Sequence, residues 1–83
     1  MSLTLQLFGP YADVAGSRSV EIELGGQPSL SASAVIEQLA IQIPALQPLL
    51  VSSRLAVNCE CVPGDTQVRE SDELAIIGLV SGG

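Results

Sequence analysis

The chain has 83 residues, nine carboxylates against three arginines and a formal charge of −6, with no lysine and no histidine. That is the size of one small domain. It excludes the usual His and Lys bases and Schiff-base formers, and its charge would be repelled by nucleic acid and by anionic lipid. Leu, Ile and Val supply 26 residues, too many for a chain disordered by composition. Phe8 and Tyr11 are the only aromatics, so an aliphatic core is expected. The stretch from Met1 to Leu7 has no basic region before an apolar run. No signal peptide, no membrane span and a cytoplasmic location are therefore expected.

In chain order, Leu3, Leu5 and Leu7 alternate with Thr4, Gln6 and Phe8. This is strand periodicity with the leucines facing inward and Phe8 outward. Gly9-Pro10 breaks the strand, and residues 11–15 make a short connection of about one helical turn, ended by Gly16. Val20, Ile22 and Leu24 alternate with Ser19, Glu21 and Glu23, giving a second strand, antiparallel to the first, with one acidic face. Ser31 or Ser29 is placed to cap a helix. Ala32, Val35, Ile36, Leu39 and Ile43 would form its buried face, and Pro44 would end it.

Residues 45–53 form an apolar connection with room for a helical turn. Leu55, Val57 and Cys59 then alternate with Ala56, Asn58 and Glu60 as a third strand. Pro63-Gly64-Asp65 is a turn, Gln67-Val68 a very short strand, and Leu74 to Ile77 a buried strand. A hairpin, one amphipathic helix and further strands make an α+β fold in which the helix covers one sheet face. The strongly apolar first and last strands belong at the centre of the sheet. If they pair in parallel, the topology is the β-grasp. The expected organisation is a domain over 1–78 and an extended tail over 79–83.

Three features could carry chemistry. Gly82-Gly83 lacks side chains, so this tail could thread a narrow channel, and its carboxylate would be an unhindered electrophile once an ATP-using partner had adenylated it. The alternative is a frayed, inert end. Cys59 and Cys61 fall short of the four ligands of a structural zinc. They read either as two half-buried small hydrophobes or as thiols that meet a sulfur donor. Glu21, Glu23, Glu70, Asp72 and Glu73 form either a solvated surface or a docking surface for a basic partner. The 70–73 run matches no calcium-loop spacing, so no metal is expected.

The segment from Leu7 to Gly16, the run Leu55-Ala56-Val57-Asn58, and Asp72 to Ile77 followed by Val80-Ser81-Gly82-Gly83 together resemble the small subunit of molybdopterin synthase. The likeness spans nearly the whole chain. It departs where that family often carries aromatics and a Pro-Pro pair; here the residues are Ile76, Ile77, Gly78 and Leu79. The resemblance implies a ubiquitin-like β-grasp sulfur carrier that binds no cofactor. An ATP-dependent activating adenylyltransferase would adenylate Gly83, and a sulfurtransferase system would convert it to a thiocarboxylate. Sulfur would then pass to cyclic pyranopterin monophosphate within the large synthase subunit, in a heterotetramer.

By the same resemblance, Gly82 allows threading, and Phe8, Cys61, Ile77, Leu79, Val80 and Ser81 contact partners. Such a carrier needs no complete active site of its own. The alternatives are a sulfur carrier for thiazole synthesis, a protein modifier forming amide bonds, and a binding module with an inert tail.

Overall fold

The computed structural model describes residues 2–78. The expected tail over 79–83, with Leu79, Val80, Ser81, Gly82 and Gly83, lies outside the described residues. The chain runs β1 (Ser2–Gln6), α1 (Pro10–Ala15), β2 (Ser19–Glu23), β3 (Leu30–Ser31), α2 (Ala32–Gln42), a 3-10 turn (Pro44–Leu46), α3 (Gln47–Leu50), β4 (Ser53–Val57), β5 (Glu60–Cys61), β6 (Gln67–Val68) and β7 (Leu74–Gly78).

Five strands form one mixed sheet in the order β2-β1-β7-β4-β5, and β3 pairs with β6 separately. β1 and β2 are antiparallel, with Leu3 opposite Ile22 and Leu5 opposite Val20. β1 and β7 are parallel, with Leu5 opposite Leu74. The two most apolar strands thus sit side by side near the middle, the β-grasp arrangement.

The core lies between the inward face of this sheet and α2. Leu3, Leu5, Leu7, Ile22, Leu55, Leu74 and Ile76 meet Val35 and Leu39 there, each no more than 1% exposed. A fully buried side chain of this kind contributes roughly 1.5–3 kcal/mol relative to leaving it in water. Ser31 is the helix cap: its hydroxyl accepts from the Ala34 amide at 3.1 Å, satisfying one of the first-turn donors. Ser29 instead donates to Gln67 Oε1 at 2.8 Å, which fastens the small β3–β6 pair. Helix α2 stops at Gln42, and Pro44 opens the 3-10 turn, as its restriction on the preceding residue demands. Near that end, Gln42 Nε2 donates to the Glu21 carbonyl of β2 at 3.0 Å. The 45–53 connection is partly helical, and its Leu46 and Leu50 are buried in the core.

Two expectations need correction. The core is not purely aliphatic, because Tyr11 is buried within it. Its hydroxyl lies 2.5 Å from Ser53 Oγ, and that partner offsets the cost of burying a phenol. The third strand does not run on to Cys59. β4 stops at Val57 because Asn58 and Cys59 both take positive φ, 51° and 72°. These two residues form a tight hairpin turn of the kind that matches strand twist, leading into β5 with Val57 opposite Glu60. Cys59 and Cys61 are consequently exposed rather than half-buried.

Candidate functional site

The sheet face turned away from α2 is the candidate site. It follows from the alternation of β1, which the next two residues continue: Leu3, Leu5 and Leu7 are buried inward, Thr4 and Gln6 point outward, and Phe8 stands exposed beyond the strand end. Strand register extends this face across the sheet. Gln6 lies opposite Ala75, Ala75 opposite Ala56, and Ala56 opposite Cys61. One row further on, Ile77 lies opposite Arg54.

The centre of the face is apolar and low. Phe8 is 60% exposed and Ile77 38%. Between them and the turn lies a cleft of about 620 Å³, lined among others by Phe8, Ala56, Cys59, Ala75 and Ile77. Ala56 is buried without belonging to the core cluster; it forms the floor of the outward face. Large apolar side chains around a floor of alanines make a surface suited to receive a partner's side chains.

One end of the cleft is acidic and rigidly built. Asp72 and Glu73 line it. The Asn58 amide donates to the Glu73 carbonyl at 2.8 Å. The Glu73 amide donates back to Asn58 Oδ1 at 3.0 Å, and Asn58 Nδ2 donates to Asp72 Oδ1 at 3.1 Å. The other Asp72 oxygen accepts from the Arg69 amide at 2.8 Å. These bonds fix the β4–β5 turn to the start of β7 and hold the Asp72 carboxylate in place. The arrangement offers apolar contact area beside fixed negative charge, which steers encounters with basic partners.

Of the residues singled out in the sequence, Phe8 and Ile77 share this cleft. Cys61 is exposed on β5, opposite the floor residue Ala56. Leu79, Val80, Ser81, Gly82 and Gly83 lie outside the described residues. Periodicity missed two participants, Cys59 in the cleft wall and Asn58 as the clamp. The available signal was Asn58 itself, since asparagine is one of the few residues besides glycine that visits the left-handed region routinely. Among the described residues no group of three or more His, Cys, Asp or Glu side chains could hold a metal. Among the same described residues no helix is long and apolar enough to cross a membrane.

Comparison with known proteins places this geometry. The chain is similar in structure to SAMP1 from Haloferax volcanii, at 26% identity and a TM-score of 0.80 over 100% of both chains. It shares its fold with a putative molybdopterin converting factor subunit 1 from Pyrococcus furiosus, at 18% identity and a TM-score of 0.79 over 96% of this chain and 99% of that one. It also shares it with a chain from the complex of subunits 1 and 2 of the molybdopterin-converting factor of Helicobacter pylori, at 17% identity and a TM-score of 0.65 over 100% of both. No curated protein matches the chain. Residues 5–83 match the ThiS family, and with nearly the whole chain inside that match, this β-grasp protein of ubiquitin-like fold belongs to the ThiS family.

Proposed function

We propose that this protein is the sulfur carrier subunit of molybdopterin synthase and acts in the cytoplasm. The observation that carries the reading is the outward apolar face of Phe8, Ala75 and Ile77, set partly on β7, the last strand before Gly82-Gly83 in the sequence. A carrier needs a surface that docks and one carboxylate that can be activated. In this reading an ATP-dependent adenylyltransferase forms the acyl-adenylate on Gly83 with release of pyrophosphate. A sulfurtransferase system then displaces AMP and leaves a thiocarboxylate. Docking of the outward face on the large subunit, with Phe8, Cys61, Ile77, Leu79, Val80 and Ser81 as contacts, delivers that sulfur to cyclic pyranopterin monophosphate. Two carriers and two large subunits would make a heterotetramer. The likeness to a chain from a complex of subunits 1 and 2 of a molybdopterin-converting factor supports a large-subunit partner.

The test is intact mass after incubation with the activating system, ATP and a sulfur donor. Exchange of a carboxylate oxygen for sulfur on Gly83 is expected, followed by loss of that sulfur to the pyranopterin. Full transfer by a chain lacking Gly83 overturns the proposal. A second reading, a protein modifier, is favoured by the full-length likeness to SAMP1. It predicts adducts to lysines of other proteins in the same mass experiment. Reconstitution with thiazole precursors separates the remaining sulfur-carrier pathway.

A further inference from the structure

Cys59 and Cys61 are both free and exposed, and the hairpin between β4 and β5 brings them to one side of the sheet. Cys61 lies opposite Ala56, and residues directly opposite in a ladder share a face. Ala56 and Cys59 both line the outward cleft. A strand running straight on from Val57 would have turned Cys59 toward the helix side, with Leu55 and Val57. The positive φ of Asn58 and Cys59 prevents that. The turn thus makes neighbours on the outward side of two thiols that the third strand would otherwise have carried inward.

The pair is within bonding reach. Two residues of chain span at most about 7 Å from Cα to Cα, and disulfides usually bridge separations up to about 6.8 Å. A ring here sits at the long end of that range, so closing it needs a small shift of β5. That strand is two residues long, lies at the rim of the sheet and is paired with β4 on one side, so little holds it against such a shift. A disulfide closed under strain is also readily reduced again. The surroundings are acidic: Asp72 and Glu73 line the same cleft, and exposed Glu60 lies between the two cysteines. Such a field favours the approach of a cationic small molecule over an anionic one.

We propose that Cys59 and Cys61 are a reversible redox site that closes into an intramolecular disulfide by exchange with a small cationic disulfide, and that closure reshapes the wall of the outward cleft. One protein thiolate attacks the small disulfide, forms a mixed disulfide and releases one small thiol. The second protein thiolate, two residues away and so at high effective concentration, attacks the protein sulfur of that adduct and releases the other small thiol. Cys59 and Cys61 together lose two electrons and two protons, and the small disulfide takes them up as two thiols. Bonding fixes the Cys59 sulfur about 2 Å from that of Cys61, which ties the cleft wall to the β5 rim. The proposal stands apart from the carrier reading, and either can fail alone.

The experiment treats the full reduced chain with cystamine, blocks the remaining thiols by alkylation and reads the intact mass. The expected product has lost two hydrogens, carries no alkyl group and returns to two alkylatable thiols with dithiothreitol. Cys61→Ser should instead retain one cysteamine on Cys59, the adduct that Cys61 resolves in the natural chain. Cystamine should react about 10-fold faster than glutathione disulfide at low salt, the gap narrowing as salt rises. The amide resonances of Ala56 and Ala75, on the cleft floor, should shift on oxidation and return on reduction. Lasting cysteamine adducts on the natural chain, disulfides between chains, or two thiols that stay free overturn the intramolecular site. Equal rates with the two reagents overturn the preference for a cation. Closure that leaves the Ala56 and Ala75 resonances in place overturns its coupling to the cleft.

Discussion

The two faces of the central sheet are built on different rules. Toward α2, leucine, isoleucine and valine side chains are almost wholly removed from water, and each position is set by volume. On the opposite face, alanines form a floor, Phe8 and Ile77 stand out of it, and carboxylates rim one end. β1 and the two residues that follow it contribute to both faces at alternate positions, so neighbours in sequence serve opposite purposes. Leu7 is 1% exposed and Phe8 60%. One residue of register separates what holds the domain together from what is offered to another molecule.

That contrast can be broken at adjacent positions. Leu7→Ala should lower stability in chemical denaturation by about 2–5 kcal/mol, the range for truncating a leucine in a packed core. Phe8→Ala should leave stability within about 0.5 kcal/mol yet weaken large-subunit binding by roughly 2 kcal/mol, as for an aromatic anchor at an interface centre. Calorimetric titration reads the second effect. A large stability loss in Phe8→Ala would show that the outward face is structural. The smallest effect is expected at the turn that closes the cleft. Cys59→Gly should raise stability by up to about 1 kcal/mol, because glycine relieves the left-handed conformation held there by a residue with a Cβ. No gain would mean that the Cys59 side chain contributes packing that offsets its backbone strain.

The inward face was legible in the sequence for a physical reason. Alternation in β1 and β2 and the helical spacing of Val35 and Leu39 are local signals, and burial on one side writes them directly. The parallel pairing of β1 with β7 was legible only as a permitted topology, inferred from two strands that read as central. The outward face was partly hidden. Phe8 could be assigned outward from its leucine neighbours alone. The exposure of Cys59 and Cys61 could not, because Asn58-Cys59 lacks the glycine that usually marks a two-residue hairpin. The burial of Tyr11 depends on Ser53, 42 residues away, and no local pattern encodes a contact at that distance. The Asn58 clamp on Asp72 and Glu73 is hidden for the same reason.

The bond from Gln42 to the Glu21 carbonyl bears on how this protein behaves in a crowd of its own copies. β2 is one rim of the sheet and β5 the other. An unpaired rim invites a foreign strand to add on, the route to fibrous aggregates. On β2, Gln42 occupies a mid-strand acceptor, and exposed Glu21 and Glu23 repel an identical strand. On β5 the rim is only two residues long. Both rims thus resist being extended, and the broad face remains the place for a visitor to land.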